Sequence, residues 1–127
     1  MDEIARLDAG KYLLVTTFRR DGRAVPTPVW AARDGESLVV WTVSDSGKVK
    51  RIRNNGTVKL APCSVRGEPR GAEVDGHAVV LDAAETERAR KLIAGKYGLI
   101  GRLGMLGSRL RRGSEGTVGI RLTVDAT

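Results

Sequence analysis

The chain has 127 residues, 41% hydrophobic and 29% charged, with a formal net charge of +7. That length fits one domain, 1–127, with one modest core, and the composition excludes a disordered or fibrous protein. Apolar runs are too short for a membrane-spanning helix, and the acidic start Met1-Asp2-Glu3 predicts no signal peptide. Asp2 can cap a short helix that places Ile4 and Leu7 on one face. Residues 11–20 (KYLLVTTFRR) are rich in β-branched and aromatic residues and read as a strand. Asp21-Gly22 supplies a hairpin turn, 23–33 (RAVPTPVWAAR) a second strand, Asp34-Gly35 another turn and 37–43 a third strand. These three should form a meander. Val49 and Ile52, at i and i+3, predict a short helix over 48–54 with its bases facing out. Strands follow at 57–66 and 72–81, separated by Gly67-Glu68-Pro69-Arg70-Gly71. Asp82-Ala83-Ala84-Glu85 has capping-box spacing for a helix to Tyr97, burying Ala89, Leu92 and Ile93, with Gly98 as its stop. Glycine-rich 98–115 reads as a mobile lid or loop, and 116–124 as the last strand. Six short strands with few helices predict a mainly β, closed or nearly closed antiparallel barrel.

The charge is concentrated. Residues 48–53 hold Lys48, Lys50, Arg51 and Arg53 with no acid, and 88–112 hold eight bases with no acid, while the remainder is net acidic. Two basic patches on an acidic body call for an anionic partner: a phosphate-bearing cofactor, a nucleic acid or an anionic surface.

Catalysis by side chains alone has little to work with. One histidine, His77, and one cysteine, Cys63, exclude an internal disulfide and a His/Cys zinc site, and no metal ligand set is expected. His77 reads as a half-buried strand position and Cys63 as a small core residue of a cytoplasmic protein, although either could in principle be reactive. No catalytic residue is therefore assigned, and in an enzyme a cofactor would carry the reacting atom.

Two stretches carry the functional signal. A helix starting near Gly47 offers unpaired backbone N–H groups, with Ser46 beside them. Lys48 and Arg51 share one helix face and Lys50 and Arg53 a neighbouring one, so a phosphate and a second anion could both be met. A solvated basic surface helix is the plainer alternative. In Pro26-Thr27-Pro28-Val29-Trp30, the two prolines remove ladder donors from one strand edge. That edge can lie against a flat ligand or simply be protected from pairing.

The stretches TTFRRDGRAVPTPVW and LVVWTVSDSGKVKRIRNNGTVKLAP, the G-E-P-R-G turn and GKYG resemble the pyridoxamine 5'-phosphate oxidase-like split-barrel proteins. Within that family they resemble most the branch that binds the deazaflavin coenzyme F420. The resemblance spans 12–122 and is most specific in T-x-x-x-x-G-K-x-x-R-x-R-x-N, from Thr42 to Asn55. It implies an FMN-binding split-barrel fold of six strands and a homodimer with the cofactor in the groove between subunits. It also implies that Lys48 and Arg51 hold the phosphate with Lys50 and Arg53 beside them. Pro28, Val29 and Trp30 would border the ring, and Thr42 and Ser44 the linker.

Coenzyme F420 carries a phosphate and a glutamate tail, and the arginines of 102–112 are expected to meet the tail. The leading expectation is a coenzyme F420H2-dependent reductase acting on a small conjugated or quinone-like molecule. The alternatives are an FMN-binding oxidoreductase of the same fold and a cofactor carrier without turnover. A barrel that binds nucleic acid or other anions is a further alternative. Nucleic acid is disfavoured because the basic patches include one aromatic residue, Tyr97, and no stacking platform.

Overall fold

The computed structural model describes residues 2–112 and 116–125, with side chains outside 99–112. α1 (Glu3–Asp8) leads into β1 (Tyr12–Phe18), β2 (Ala24–Val29), β3 (Ala32–Asp34) and β4 (Ser37–Val43). α2 (Gly47–Asn54), β5 (Thr57–Cys63), β6 (Val74–Val80), α3 (Ala83–Arg112) and β7 (Thr117–Val124) follow. The strands form one sheet in the order β2-β1-β5-β6-β7-β4-β3, with every named pairing antiparallel.

Among the described residues there are seven strands where six were expected, because the stretch 23–33 breaks after Val29. Its first half pairs with β1 and its second with β4. The expected meander is thereby cut, and β4 takes β7 as its second neighbour. Pro26 and Pro28 have no N–H to give a second partner, which keeps β2 at an edge. Only Trp30 and Ala31 separate the two edge strands in sequence. The sheet must therefore curl until its edges meet, which makes it a split barrel.

Strand alternation fills the interior with Leu13 and Val15, Leu38 and Val40, Val58 and Leu60, and Val118, Ile120 and Leu122. α1 adds Ile4 and Leu7 to the same core, and α2 adds Val49 and Ile52. A second apolar cluster joins Ala32 and Val39 to Ala89 and Ile93 of α3, with Leu92 packed against it. At Gly119 a Cβ would stand 3.1 Å from a Leu81 methyl and 3.2 Å from Ala89 Cβ, so glycine lets α3 sit close on β7. The Gly119 N–H donates to Thr86 Oγ1 at 2.9 Å.

The helix boundaries depart from expectation in two places. Asp82 Oδ1 accepts from the Glu85 N–H at 2.8 Å, but the Glu85 carboxylate accepts from Arg121 instead of closing a capping box. Gly98 does break the helix, with φ 64° and ψ −145°, yet helical backbone resumes and runs to Arg112 where a loop was expected. In the sequence Leu99, Leu103, Leu106 and Leu110 recur at helical spacing, a pattern that suits a helix although each glycine carries a modest cost. Residues 113–115 of the expected lid lie outside the described residues.

Candidate functional site

The candidate site forms where β4 hands over to α2. Ser46 caps the helix by accepting from the Val49 N–H at 3.4 Å, and Gly47 opens its first turn. The odd-numbered positions of β1 and the even-numbered positions of β4 face the interior, so Thr17 and Thr42 are the last inward groups of their strands. Lys48 Nζ donates to Thr42 Oγ1 at 3.0 Å, and Arg51 Nε donates to Thr17 Oγ1 at 2.7 Å. Thr17 is wholly buried and both cations are half-buried.

Among the described residues, neither cation is in an ion pair with a carboxylate. Burial, and then the neighbouring Arg51 charge, hold the Lys48 ammonium below the ordinary lysine pKa. Two half-buried cations without a counter-ion are costly to keep together, and that cost falls when an anion arrives. A Cβ at Gly47 would stand 2.7 Å from Arg51 Nη1, so the absent side chain lets the guanidinium fold back over the helix start. The Arg51 guanidinium thus lies over the start of α2, with the Lys48 charge near enough to act on it, a donor set suited to phosphate.

The other expected residues do not join a single cluster. Lys50 lines a hollow of about 230 Å³ with Phe18, Arg19, Arg20, Arg51 and Asn54. Arg53 lies elsewhere, with Ser44 at a cavity of about 550 Å³ beside Asp82, Thr86 and Thr117. Residues 51 and 53 are two positions apart, which turns them to opposite sides of a helix with 3.6 residues per turn. The Ser44 N–H is occupied by the Gly116 carbonyl at 3.0 Å.

β2 is an edge strand, as its prolines predict. The register sets Pro28 opposite Leu14, three residues along β1 from Thr17. At ~3.3 Å per residue that is about 10 Å. Val29 turns its side chain onto the inner core, so only its backbone can border a ligand. One face of Trp30 is already covered by Tyr97, with ring centroids 4.3 Å apart and planes 7° from parallel. Tyr97 Oη donates to the Lys11 carbonyl at 2.6 Å and accepts from the Ala31 N–H at 3.1 Å. Burial above all pushes the Tyr97 phenol up to about 12.

His77 is exposed where half-burial was expected. Gly76 and Ala78 take the inward positions of β6, which leaves His77 outside with Nδ1 2.8 Å from Asp125 Oδ1. Cys63 is buried, and burial raises its thiol pKa, which favours its reading as a core residue over a nucleophile. The contacts expected of Arg102, Arg109, Arg111 and Arg112 rest on side chains outside those described. Thr17, Arg19 and Arg20 were missed. Two adjacent arginines after a strand are a visible signal, but their approach to α2 requires the closed barrel.

A family model for pyridoxamine 5'-phosphate oxidase matches residues 2–126. No curated protein matches the chain. Among solved structures it is similar to a heme storage protein from Vibrio cholerae, at 15% identity and TM-score 0.69, covering 98% of this chain and 89% of that one. It is also similar to an F420 reductase, at 18% identity and TM-score 0.60, with 96% and 92% covered. A third is an FAD-binding protein from Mesorhizobium loti, at 15% identity and TM-score 0.59, with 95% and 84% covered. At these identities the likeness is one of fold. Among the described residues no helix is long and apolar enough to cross a membrane.

Proposed function

The chain belongs to the pyridoxamine 5'-phosphate oxidase family, and from that premise we propose that residues 1–127 form one domain that binds a phosphate-bearing flavin-type cofactor, coenzyme F420. The observation that carries this reading is the pair Lys48 and Arg51, half-buried, held by Thr42 and Thr17 and lacking a carboxylate partner among the described residues. In this reading the two cations hold the phosphate at the N-terminus of α2, with Ser46 and Gly47 leaving the backbone open to it. Pro28 and the Val29 backbone border the ring along the free edge of β2, and the Trp30–Tyr97 stack stiffens the end of that edge. Thr42 keeps the Lys48 ammonium on the phosphate side. Lys50 flanks the phosphate, whereas Ser44 and Arg53 border a separate cavity.

When bound, the reduced deazaflavin supplies a hydride for a small conjugated or quinone-like acceptor. The chain's own residues orient the ring and neutralise the phosphate. A homodimer with the cofactor in the groove between subunits fits β2, whose outer edge has no strand partner among the described residues. FMN offers the same phosphate to the same pair, so an FMN-binding oxidoreductase is the second reading. Titration of the purified protein with coenzyme F420 and with FMN at physiological salt tests the choice. Tighter binding of coenzyme F420 is expected. Tighter binding of FMN would reverse the assignment, and light scattering that gives one chain per particle would remove the groove.

A further inference from the structure

We propose that the hollow between the first hairpin and α2 is a second anion site, which takes the anionic extension of the cofactor beyond its first phosphate. The extension's chemistry is carboxylate or phosphate, from a glutamate tail or from the second phosphate of a dinucleotide. The inference rests on the cofactor reading above and names the part of the ligand that the Lys48–Arg51 pair does not reach.

The hollow, about 230 Å³, is lined by Phe18, Arg19, Arg20, Lys50, Arg51 and Asn54. Four of these are cations, drawn from two elements, and no acid is among them. The nearest acid in sequence, Asp21, is engaged by its own turn: it accepts from the Arg23 N–H at 3.0 Å and from the Arg23 guanidinium at 2.9 Å. That turn is fixed by Gly22, at φ 89°, whose N–H donates to the Arg19 carbonyl at 2.9 Å. Arg19 and Arg20 are thus presented on a defined backbone. Among the described residues neither they nor Lys50 are in an ion pair. The volume is below the roughly 300–1,000 Å³ of sites that enclose whole small molecules, and it suits an anionic group rather than a ring system.

Position gives the order of the ligand. Along β1, the Pro28 edge lies beside Leu14, the Arg51 contact lies at Thr17, and the hollow begins at Phe18. A ring at the first place and a phosphate at the second direct anything attached beyond the phosphate into the third. Arg51 belongs to both sites, so the two anions would be one side chain apart.

The test is calorimetric titration of the wild-type protein and of Arg19→Gln/Arg20→Gln with FMN, FAD and coenzyme F420, each at low and physiological salt. For an extended cofactor, the double variant should lose about three- to tenfold in affinity and part of its salt dependence. FMN should bind both proteins within about twofold, which also shows that the variant is folded. A loss confined to coenzyme F420 identifies carboxylates as the extension, and one confined to FAD identifies phosphate. Equal losses for FMN and the extended cofactors, or no loss for any, overturn the second site and leave the cofactor reading standing. If the wild type binds no cofactor, pyrophosphate alone is titrated. Binding that weakens in the double variant keeps the anion site while the cofactor reading falls, and no binding overturns both.

Discussion

Replacing Lys48 with Met separates a binding role from a structural one, because the two roles predict opposite signs for stability. In the free protein the Lys48 ammonium is half-buried, lies beside the Arg51 charge and has a depressed pKa. A group whose charged form is disfavoured by folding destabilises the folded state at neutral pH. Met keeps the apolar stem and removes that cost, but it also removes the hydrogen bond to Thr42 Oγ1 at 3.0 Å. The lost bond costs about 1 kcal/mol, and relief of desolvation and like-charge repulsion offsets it by a similar amount or more. Lys48→Met should therefore be between neutral and about 1 kcal/mol more stable, an upward shift in Tm of up to roughly 4 °C. Its affinity for coenzyme F420 or FMN should fall, because a charge-assisted phosphate contact contributes about 1.5–3 kcal/mol, or roughly ten- to a hundredfold. Thermal melting without cofactor and fluorescence titration with it measure both quantities on one sample. A variant that melts several degrees lower and binds cofactor like the wild type would refute the reasoning and make Lys48 a structural residue.

Three further outcomes are expected. Because an anion is held by protonated Lys48, cofactor affinity should decline as pH rises through a value below the ordinary lysine pKa of 10.5; Lys48→Arg should carry the plateau to higher pH, and titrations from pH 7 to about 10 resolve the difference. Gly47→Ala should leave the melting temperature unchanged or slightly raised through helix propensity. Its Cβ would displace Arg51 Nη1, 2.7 Å away, and affinity should fall about fivefold, about 1 kcal/mol, as measured by the same titration. The Asp34 carboxyl is held below its ordinary 3.8 by Arg88 and then Arg121, so its pairing stabilises the fold above that pH and is lost as pH falls further. Asp34→Asn should be less stable at neutral pH and show a smaller fall in stability below about pH 4 in acid unfolding curves.

The sequence by itself carried much of what depends on near neighbours in the chain. The β-branched and aromatic content of 11–20, the run 37–43, the Asp-Gly turns and the Val49–Ile52 spacing correspond to β1, β4, the two hairpins and α2, because strand propensity, turn chemistry and the helix period act over a few residues. The same local reading placed Lys48 and Arg51 on one face of α2. The edge position of β2 was equally legible, since proline lacks the N–H that a second neighbour would need.

What depends on register and closure was decided by tertiary structure alone. The break between Val29 and Ala32 follows from the sheet having to meet its own other edge, a condition that no window of ten residues contains. The same closure sets Thr17 against Arg51, 34 residues away, and brings Arg19 and Arg20 to Lys50. It also stacks Trp30 on Tyr97. Arg53 left the cluster for the converse reason: its helix face is fixed by local rotation, but what that face meets is set by where β7 and α3 pack. Charge density along the chain gives the sign of the partner, whereas the packing of distant strands sets which charges can act on the same anion.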